Sequence, residues 1–152
     1  MNNNTSIFIL TIKKYMHNCK LITDITILSC NKTLLVKYKD GNKYDHQTGW
    51  FIPDDQLLNQ EDPDDSAKRI MSEQLGISNC EVKISFVESF QGNDKSWHIV
   101  FHYKTDLENT AEIKPSGDIE SCEWFDLSNL PDKKEVAHHG WALYTLQETA
   151  GK

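Results

Sequence analysis

The chain has 152 residues, of which 38% are hydrophobic and 26% charged, so we expect one globular domain over residues 1–152 whose ends, 1–6 and 149–152, fray. Its formal net charge of -7 argues against sequence-independent binding to nucleic acid, which depends on Lys and Arg that neutralise phosphates. No segment approaches the ~20 apolar residues that cross a membrane, and four cysteines without a Cys-x-x-Cys pair favour reduced thiols in a cytoplasmic protein.

The first part of the chain predicts strands. Residues 21–29 and 33–39 are rich in Ile, Thr, Val and Leu and are separated by a short polar turn, which predicts a hairpin of two mostly buried strands. The apolar run 7–12 fits an earlier strand better than a signal peptide. A polar and aromatic loop then leads into a short predicted strand, residues 50–52, that Pro53 ends.

The segment that follows predicts an amphipathic helix. Asp62 suits the N-cap and Pro63 the first helical position, and Gly76 supplies the C-terminal stop. Between them, helical spacing produces one apolar face with a single polar interruption, Gln74. The residues of this face are Ala67, Ile70, Met71, Gln74 and Leu75.

The second half of the chain predicts a further hairpin, one more strand and a closing helix, over residues 81–90, 96–103, 119–126 and 135–147. His98 and His102 fall on the same side of one strand, where we expect surface or groove-lining side chains. They lie about 13 Å apart at ~3.3 Å per residue, too far to chelate one ion. Strands mixed with one central and one terminal helix indicate an α/β (α+β) sandwich.

Residues 55–77 resemble the box of the Nudix hydrolase superfamily, whose pattern is G-x5-E-x7-R-E-U-x-E-E-x-G-U, with U apolar. The positions that match without a gap are Glu61, Arg69, Met71, Glu73, Gly76 and Ile77. Three positions depart, because Asp55 replaces Gly, Ile70 replaces the Glu after Arg, and Gln74 replaces the last Glu. By the order of its elements, the resemblance extends over residues 21–131.

The resemblance implies a Nudix-like α/β/α sandwich with a mixed central sheet. It implies hydrolysis of a nucleoside diphosphate linked to another moiety, by attack of water on a phosphorus with the help of Mg²⁺ or Mn²⁺. The implied partner is a nucleotide-derived small molecule, with no nucleic acid or membrane. Assembly into a homodimer is left open.

The departures weaken the implied metal site. Positions 70, 73 and 74 share one helix face, and in the family carboxylates there coordinate the divalent ions, but here only Glu73 is a carboxylate. The resemblance makes Glu73, Glu61 and Arg69 the catalytic candidates, with Arg69 as organiser of the carboxylates. A loop Glu61 can equally form a structural salt bridge with Arg69.

Other acids are candidates to replace the missing oxygens. Asp54 and Asp55 join Glu73 as predicted metal ligands, although both aspartates are also typical of a solvated turn. Further acids lie on or beside later predicted strands, and a downstream acid assists the metal in several Nudix subfamilies. They are Glu88, Glu120 and Glu123.

Aromatic side chains near the box are candidates for contact with the substrate. Trp50, Tyr44 and His46 are predicted to stack on a base, although aromatic residues in strands more often belong to the core. Two functions remain open on these grounds: a Nudix-type hydrolase with a weakened metal site, or a catalytically inactive Nudix-like module that binds a nucleotide or a protein partner.

Overall fold

The computed structural model describes residues 18–40, 46–110 and 112–150. Its elements in chain order are β1 (Cys19–Ser29), β2 (Lys32–Tyr38), β3 (Asp54–Gln56), α1 (Pro63–Arg69), β4 (Lys83–Gln91), β5 (Trp97–Leu107), β6 (Ile119–Asp126) and α2 (Ala137–Ala150). A π-helical turn, Ile70–Gln74, continues α1, and a 3-10 turn, Lys133–Glu135, precedes α2. The strand predicted over 7–12 lies outside the described residues. No helix within the described ranges is long and apolar enough to cross a membrane.

Six strands form one mixed sheet in the order β4-β5-β1-β2-β6, with β3 paired to β1. β1 runs parallel to β5 along its whole length, whereas the pairs β1–β2, β1–β3, β2–β6 and β4–β5 are antiparallel. Both predicted hairpins are therefore confirmed. The strand predicted over 119–126 is β6.

Apolar side chains on the two faces of the sheet pack against different helices. On one face, residues of β1 and β2 such as Ile25 and Val36 pack against Ile70 and Met71 of the box helix, which is α1 together with the π-helical turn that continues it. On the other face, Leu35 packs with a second set of buried residues that includes α2. These are Trp50, Ile52, Val136, Ala142 and Leu146. Because each fully buried aliphatic side chain contributes about 1.5–3 kcal/mol, both helices are held firmly, and the predicted α/β/α sandwich of the α+β class is confirmed.

The segment before the box inserts between β1 and β2. These strands pair with each other only beside their turn, after which Phe51 exchanges two backbone hydrogen bonds with Val36 and the Ile25 N–H donates to the Pro53 carbonyl. The predicted strand over 50–52 was wrong in its position. Trp50 and Phe51 form isolated bridges, and the strand follows Pro53 as β3, because residues 54–56 are the ones that pair with β1.

The start and the end of the box helix are as predicted. The Asp62 side chain accepts the Asp64 N–H at the N-cap, and Pro63 occupies the first position. The helix changes from α to π geometry at Ile70, a change that is often found at functional sites. Gly76, with φ +69°, then ends it in the left-handed conformation that glycine adopts at low cost.

Gly49 allows the backbone before β3 to lie directly against the 3-10 turn, Lys133–Glu135. Its φ is +111°, and a Cβ at this position would lie 2.5 Å from the Glu135 carbonyl oxygen.

We therefore expect Gly49→Ala to lower the free energy of unfolding by about 2 kcal/mol, because it adds backbone strain and a backbone clash. Urea unfolding measures the loss. Gly117→Ala is the matched control, since its Cβ would meet nothing within 4 Å, and a similar loss in both variants would contradict the expectation.

Candidate functional site

Arg69 ties the loop before the box helix to the helix itself. Its Nε donates to Glu61 Oε1 at 2.6 Å and its Nη1 to Asp55 Oδ2 at 2.8 Å, while Nη2 donates to Glu61 Oε2 and to the Gln56 carbonyl. The hydrogen bond from Arg69 lowers the pKa of Glu61. The structural salt bridge that the sequence left open is therefore present, and Asp55 and Glu61 both lie against a guanidinium.

Among the carboxylates of the box, Glu73 has the side chain most exposed to solvent. Its side chain is 68% exposed, and Oε2 lies 3.9 Å from Arg69 Nη1. A single, weakly held carboxylate of this kind does not by itself form a cation site. Glu73 is thus placed on the helix surface, beside Arg69.

The other two positions of this helix face carry no charge. Ile70 is fully buried in the core. Gln74 is buried, its Nε2 donates to the Asp54 carbonyl at 2.8 Å, and its Oε1 accepts from the Tyr38 hydroxyl at 2.8 Å. Burial raises the pKa of Tyr38 well above its usual value, reinforced by the charge of Asp54. A neutral, hydrogen-bonded amide therefore stands at the position where the resemblance implies a carboxylate ligand.

The predicted metal ligands are not gathered into one cluster. Asp55 bonds to Arg69, Asp54 lines a cavity to which neither Asp55 nor Glu73 contributes, and Glu73 lies on the helix surface. Among the described residues, no group of three or more His, Cys, Asp or Glu side chains could hold a metal ion. The residues present do not fit a preformed Mg²⁺ or Mn²⁺ site, and the assignment of these three acids as ligands stays a prediction.

A cavity lies between the sheet and α2, next to β3. Its enclosed volume is about 70 Å³, and it opens to solvent. Its walls are mostly apolar and aromatic, with two carboxylates. The aromatic and ionisable residues among them are Asp24, Trp50, Phe51, Asp54, Phe90, His98, His138 and Trp141.

The predicted substrate-binding residues are dispersed. Trp50 lines the cavity but is largely buried, with its ring edge-on to Phe125 and the Lys37 ammonium 4.5 Å from its centroid. His46 is exposed and is not among the residues that line the cavity. Tyr44 lies outside the described residues. The stacking roles of all three stay predictions.

Sequence reasoning missed a buried polar cluster on the cavity side of the sheet. His102 is fully buried, its Nδ1 lies 2.8 Å from Asp24 Oδ2, and its Nε2 lies 2.8 Å from Glu88 Oε1. The expectation of a surface or groove-lining side chain was therefore wrong for His102, since Phe86 stacks on its ring and Asp24 and Glu88 flank it, whereas the buried His98 does line the cavity. The available signal was Asp24 itself, a charged residue in the middle of an apolar strand.

The cluster predicts a pH dependence of stability. Burial alone would lower the pKa of His102, but hydrogen bonds and charges from Asp24 and Glu88 raise it above its ordinary value near 6.5. The folded state therefore binds more protons than the unfolded state above that pH, and the stabilisation, fully present below pH 6.5, is lost as the pH rises through the folded pKa. We expect the free energy of unfolding, measured in urea between pH 6 and 8, to fall with rising pH.

His102→Gln is the control for this pH dependence, because it removes the titrating ring and keeps a hydrogen-bond donor. The slope of stability against pH between pH 6 and 8 should become flatter in the variant. An unchanged slope would assign the dependence to other groups. The measurements stop at pH 8, below the ordinary pKa of cysteine. At higher pH the thiols would add a dependence of their own, because burial raises the pKa of Cys80 and brings the pKa of Cys122 to about 11.

Comparison with known proteins places the fold. The chain is similar to a MutT NUDIX hydrolase from Burkholderia pseudomallei, with TM-score 0.71 and 18% identity over 86% of this chain and 97% of that chain. It is also similar to an Ap4A hydrolase from C. elegans, solved as a binary complex, with TM-score 0.64 and 16% identity over 87% and 98%.

A third similar structure is a bifunctional NMN adenylyltransferase/ADP ribose pyrophosphatase from Francisella tularensis, complexed with AMP and a Mn ion. It has TM-score 0.62 and 16% identity over 95% of this chain, which spans only 46% of that protein. No curated protein matches the sequence significantly. A sequence model of the family described as NUDIX domain matches residues 22–145. Because this match covers most of the sequence and the sheet and helices have the corresponding fold, the chain belongs to the Nudix family.

Proposed function

We propose that this protein binds a nucleotide-derived small molecule and does not use its box for hydrolysis. The observation that carries the proposal is the contact of Gln74 with Tyr38 and the Asp54 carbonyl. The amide nitrogen of Gln74 donates to that carbonyl, so the side chain presents a donor where a glutamate would present a second oxygen. With Ile70 in the core, Glu73 is the single carboxylate left on this helix face.

The cavity beside β3 supports a small organic ligand. Its aromatic walls and few polar groups are typical of such sites, and Asp54 connects it to the box, because this residue lines the cavity and its backbone carbonyl contacts Gln74. The similar proteins named for Ap4A hydrolysis and for a complex with AMP support a nucleotide-derived ligand for this chain as well.

Glu61 and Arg69 are assigned a structural role in this proposal. The guanidinium binds both oxygens of Glu61 and one of Asp55, which anchors the loop next to β3. Magnesium is often held by one or two carboxylates together with substrate phosphates. Any Mg²⁺ or Mn²⁺ would therefore depend on the phosphates of the ligand rather than on a site made by the protein alone.

Hydrolysis of a nucleoside diphosphate linked to another moiety is the second candidate function. Glu73 favours it, because this carboxylate is kept at a box position, faces solvent and lies beside Arg69. Asp54 and Asp55, on β3, are the acids predicted to supplement it. Under this alternative, activity depends on Glu73.

One experiment separates the two functions. The protein is mixed with a panel of nucleoside mono-, di- and triphosphates, dinucleotides and nucleotide sugars, with Mg²⁺ and with Mn²⁺, and both the melting temperature and the release of products are measured. We expect at least one nucleotide to raise the melting temperature, as any ligand specific for the folded state does, without product above the level of a protein-free control. No rise with any compound would overturn the proposed function.

Glu73→Gln and Asp65→Asn are a matched pair of variants for this experiment. Both remove one exposed negative charge from the box helix, but only Glu73 is a box position. If the protein binds without hydrolysis, both variants should retain the thermal shift. Turnover that is lost in Glu73→Gln and kept in Asp65→Asn would establish the hydrolase instead.

A further inference from the structure

Part of the sheet face on the α1 side carries apolar side chains that are open to solvent. Alternation along β5 places Phe101 and Tyr103 on one side of the strand, and Tyr103 belongs to the core beneath the box helix. Directly opposed residues of neighbouring strands share a face, so the pairs of β5 with β1 and β4 extend this surface to both neighbours. The set is termed the apolar face, and its members are Leu21, Ile84, Val87, Trp97, Ile99 and Phe101.

Exposed hydrophobic side chains are concentrated on the apolar face. Within the described part of the chain, the exposed large hydrophobic residues on this face are Leu21, Ile84, Val87 and Trp97, each with 41–53% of its surface accessible, and those elsewhere are Leu58 and Tyr144. Single exposed hydrophobic residues are normal on a protein surface, but contiguous ones mark sites of interaction. The apolar face is therefore a candidate interface.

No charged residue lies among the members of the apolar face. The polar positions that the same strands present on this side are uncharged as well, namely Cys19, Ser89 and Gln91, although 26% of the chain is charged. Depletion of charge is typical of the centre of an interface between proteins. A strongly charged partner would find no complementary charge here, whereas the same face of a second copy would meet it without like-charge repulsion.

The size of the apolar face suits a small symmetric interface. Its four exposed side chains, each about half accessible, present on the order of 300 Å² of apolar surface, since a large side chain has roughly 150–200 Å². A standard interface buries about 800 Å² on each partner, somewhat more than half of it apolar. The apolar face thus supplies most of the apolar area that one copy contributes, and its uncharged surroundings supply a polar rim.

We propose that the apolar face is the interface of a homodimer in which two copies pack their sheets face to face. A two-fold symmetric pair uses the same patch on both copies, and packed sheets lie about 10 Å apart with their side chains interdigitated. The cavity lies on the opposite side of the sheet, where Ile22, His98 and Val100 line it. Both cavities therefore stay accessible in the dimer, and this inference does not depend on nucleotide binding.

Sedimentation velocity of the full-length protein tests the proposal. Because the interface is small, we expect the dimer to predominate at about 100 µM and to dissociate on dilution to about 1 µM. Each copy carries a formal net charge of -7, so the copies repel each other outside the interface. Raising NaCl from about 0.05 to 0.5 M should screen this repulsion and strengthen the dimer. A protein that stays monomeric at about 100 µM in both salt concentrations would overturn the proposal.

Val87→Lys and Tyr144→Lys are a matched pair of variants. Each replaces a half-exposed hydrophobic residue, 50% and 52% accessible, by a lysine, but Tyr144 lies on α2, on the other side of the sheet. Val87→Lys should raise the dissociation constant of the dimer at least about tenfold, because it places a charge in an apolar interface. Tyr144→Lys should change it less than about twofold. A dimer that survives Val87→Lys, or that is lost equally in both variants, would overturn the proposal.

Mixing Val87→Lys with Val87→Glu provides a result that misfolding cannot produce. Neither variant should associate with itself, but the mixture should form a heterodimer at least about tenfold more tightly, since opposite charges then meet across the interface. A mixture that remains monomeric would overturn the proposal. A monomeric unmodified protein whose melting temperature falls more in Val87→Lys than in Tyr144→Lys would also overturn it, and would show that another segment of the same chain covers the apolar face.

Discussion

Replacing Arg69 with alanine should lower the free energy of unfolding by about 3 kcal/mol, the loss expected when one partner of a largely buried ion pair is removed. The Arg69 side chain is 13% exposed and that of Glu61 11%. Without the guanidinium, Glu61 and Asp55 would repel each other in a partly desolvated site, and the Gln56 carbonyl would lose a donor. Urea unfolding followed by circular dichroism measures the change.

Lys68→Ala is the control for Arg69→Ala, because it removes the neighbouring positive charge from the same helix. Lys68 is exposed and lies 3.9 Å from Asp65, so its loss should cost less than about 0.5 kcal/mol. Arg69→Lys should fall between the two, since an ammonium keeps the charge but cannot reproduce the forked hydrogen bonds to two carboxylates. Equal losses in Arg69→Ala and Lys68→Ala would contradict a stabilising role for the network.

Local signals in the sequence predicted the parts of the fold that depend on local physics. The N-cap at Asp62, the proline after it and the glycine stop at Gly76 each act within one helical turn, and all three are found. The salt bridge predicted as one alternative for Glu61 is likewise a contact only eight residues along the chain, to Arg69. Such features follow from spacing along the helix and the loop before it.

The missed features depend on contacts between distant parts of the chain. β3 was displaced from its predicted place because its partner is β1, about 30 residues earlier. The contact between Asp24 and His102 joins residues 78 apart, and it exists only because β1 pairs in parallel with β5 in the register that sets these two side by side. Strand alternation identified the shared face of His98 and His102, but it could not determine that this face is buried.

The same limit applies to the box. Matching positions identified Ile70 and Gln74 as departures, but a motif does not indicate what replaces a lost ligand. The structure has an apolar side chain in the core at one position and an amide bonded to Tyr38 and Asp54 at the other. Both replacements are integrated into their surroundings, so restoring the glutamates one at a time should disturb the fold.

Ile70→Glu tests this directly and should have the larger effect, a loss of about 4 kcal/mol in the free energy of unfolding, from lost apolar packing and a buried carboxyl group. Ile70 is fully buried with Met71, Leu75 and Ala67. A carboxyl group there would have a raised pKa because burial disfavours its charged form. The folded state would then hold a proton that the unfolded state releases, so the variant should become more stable as the pH falls.

Two further substitutions separate packing from charge at this position. Ile70→Leu conserves volume and should cost less than about 1.5 kcal/mol, while Ile70→Gln has the size and polarity of glutamate without its charge. The difference between the Glu and Gln variants at pH 8 therefore measures the buried charge, and it should shrink as the pH falls towards 5. If Ile70→Glu were instead as stable as Ile70→Gln at pH 8, and Mn²⁺ raised its melting temperature but not that of Ile70→Gln, position 70 would reach a cation site after all. Isoleucine at this position would then mean only that a metal ligand has been lost, and not that the core has repacked around it.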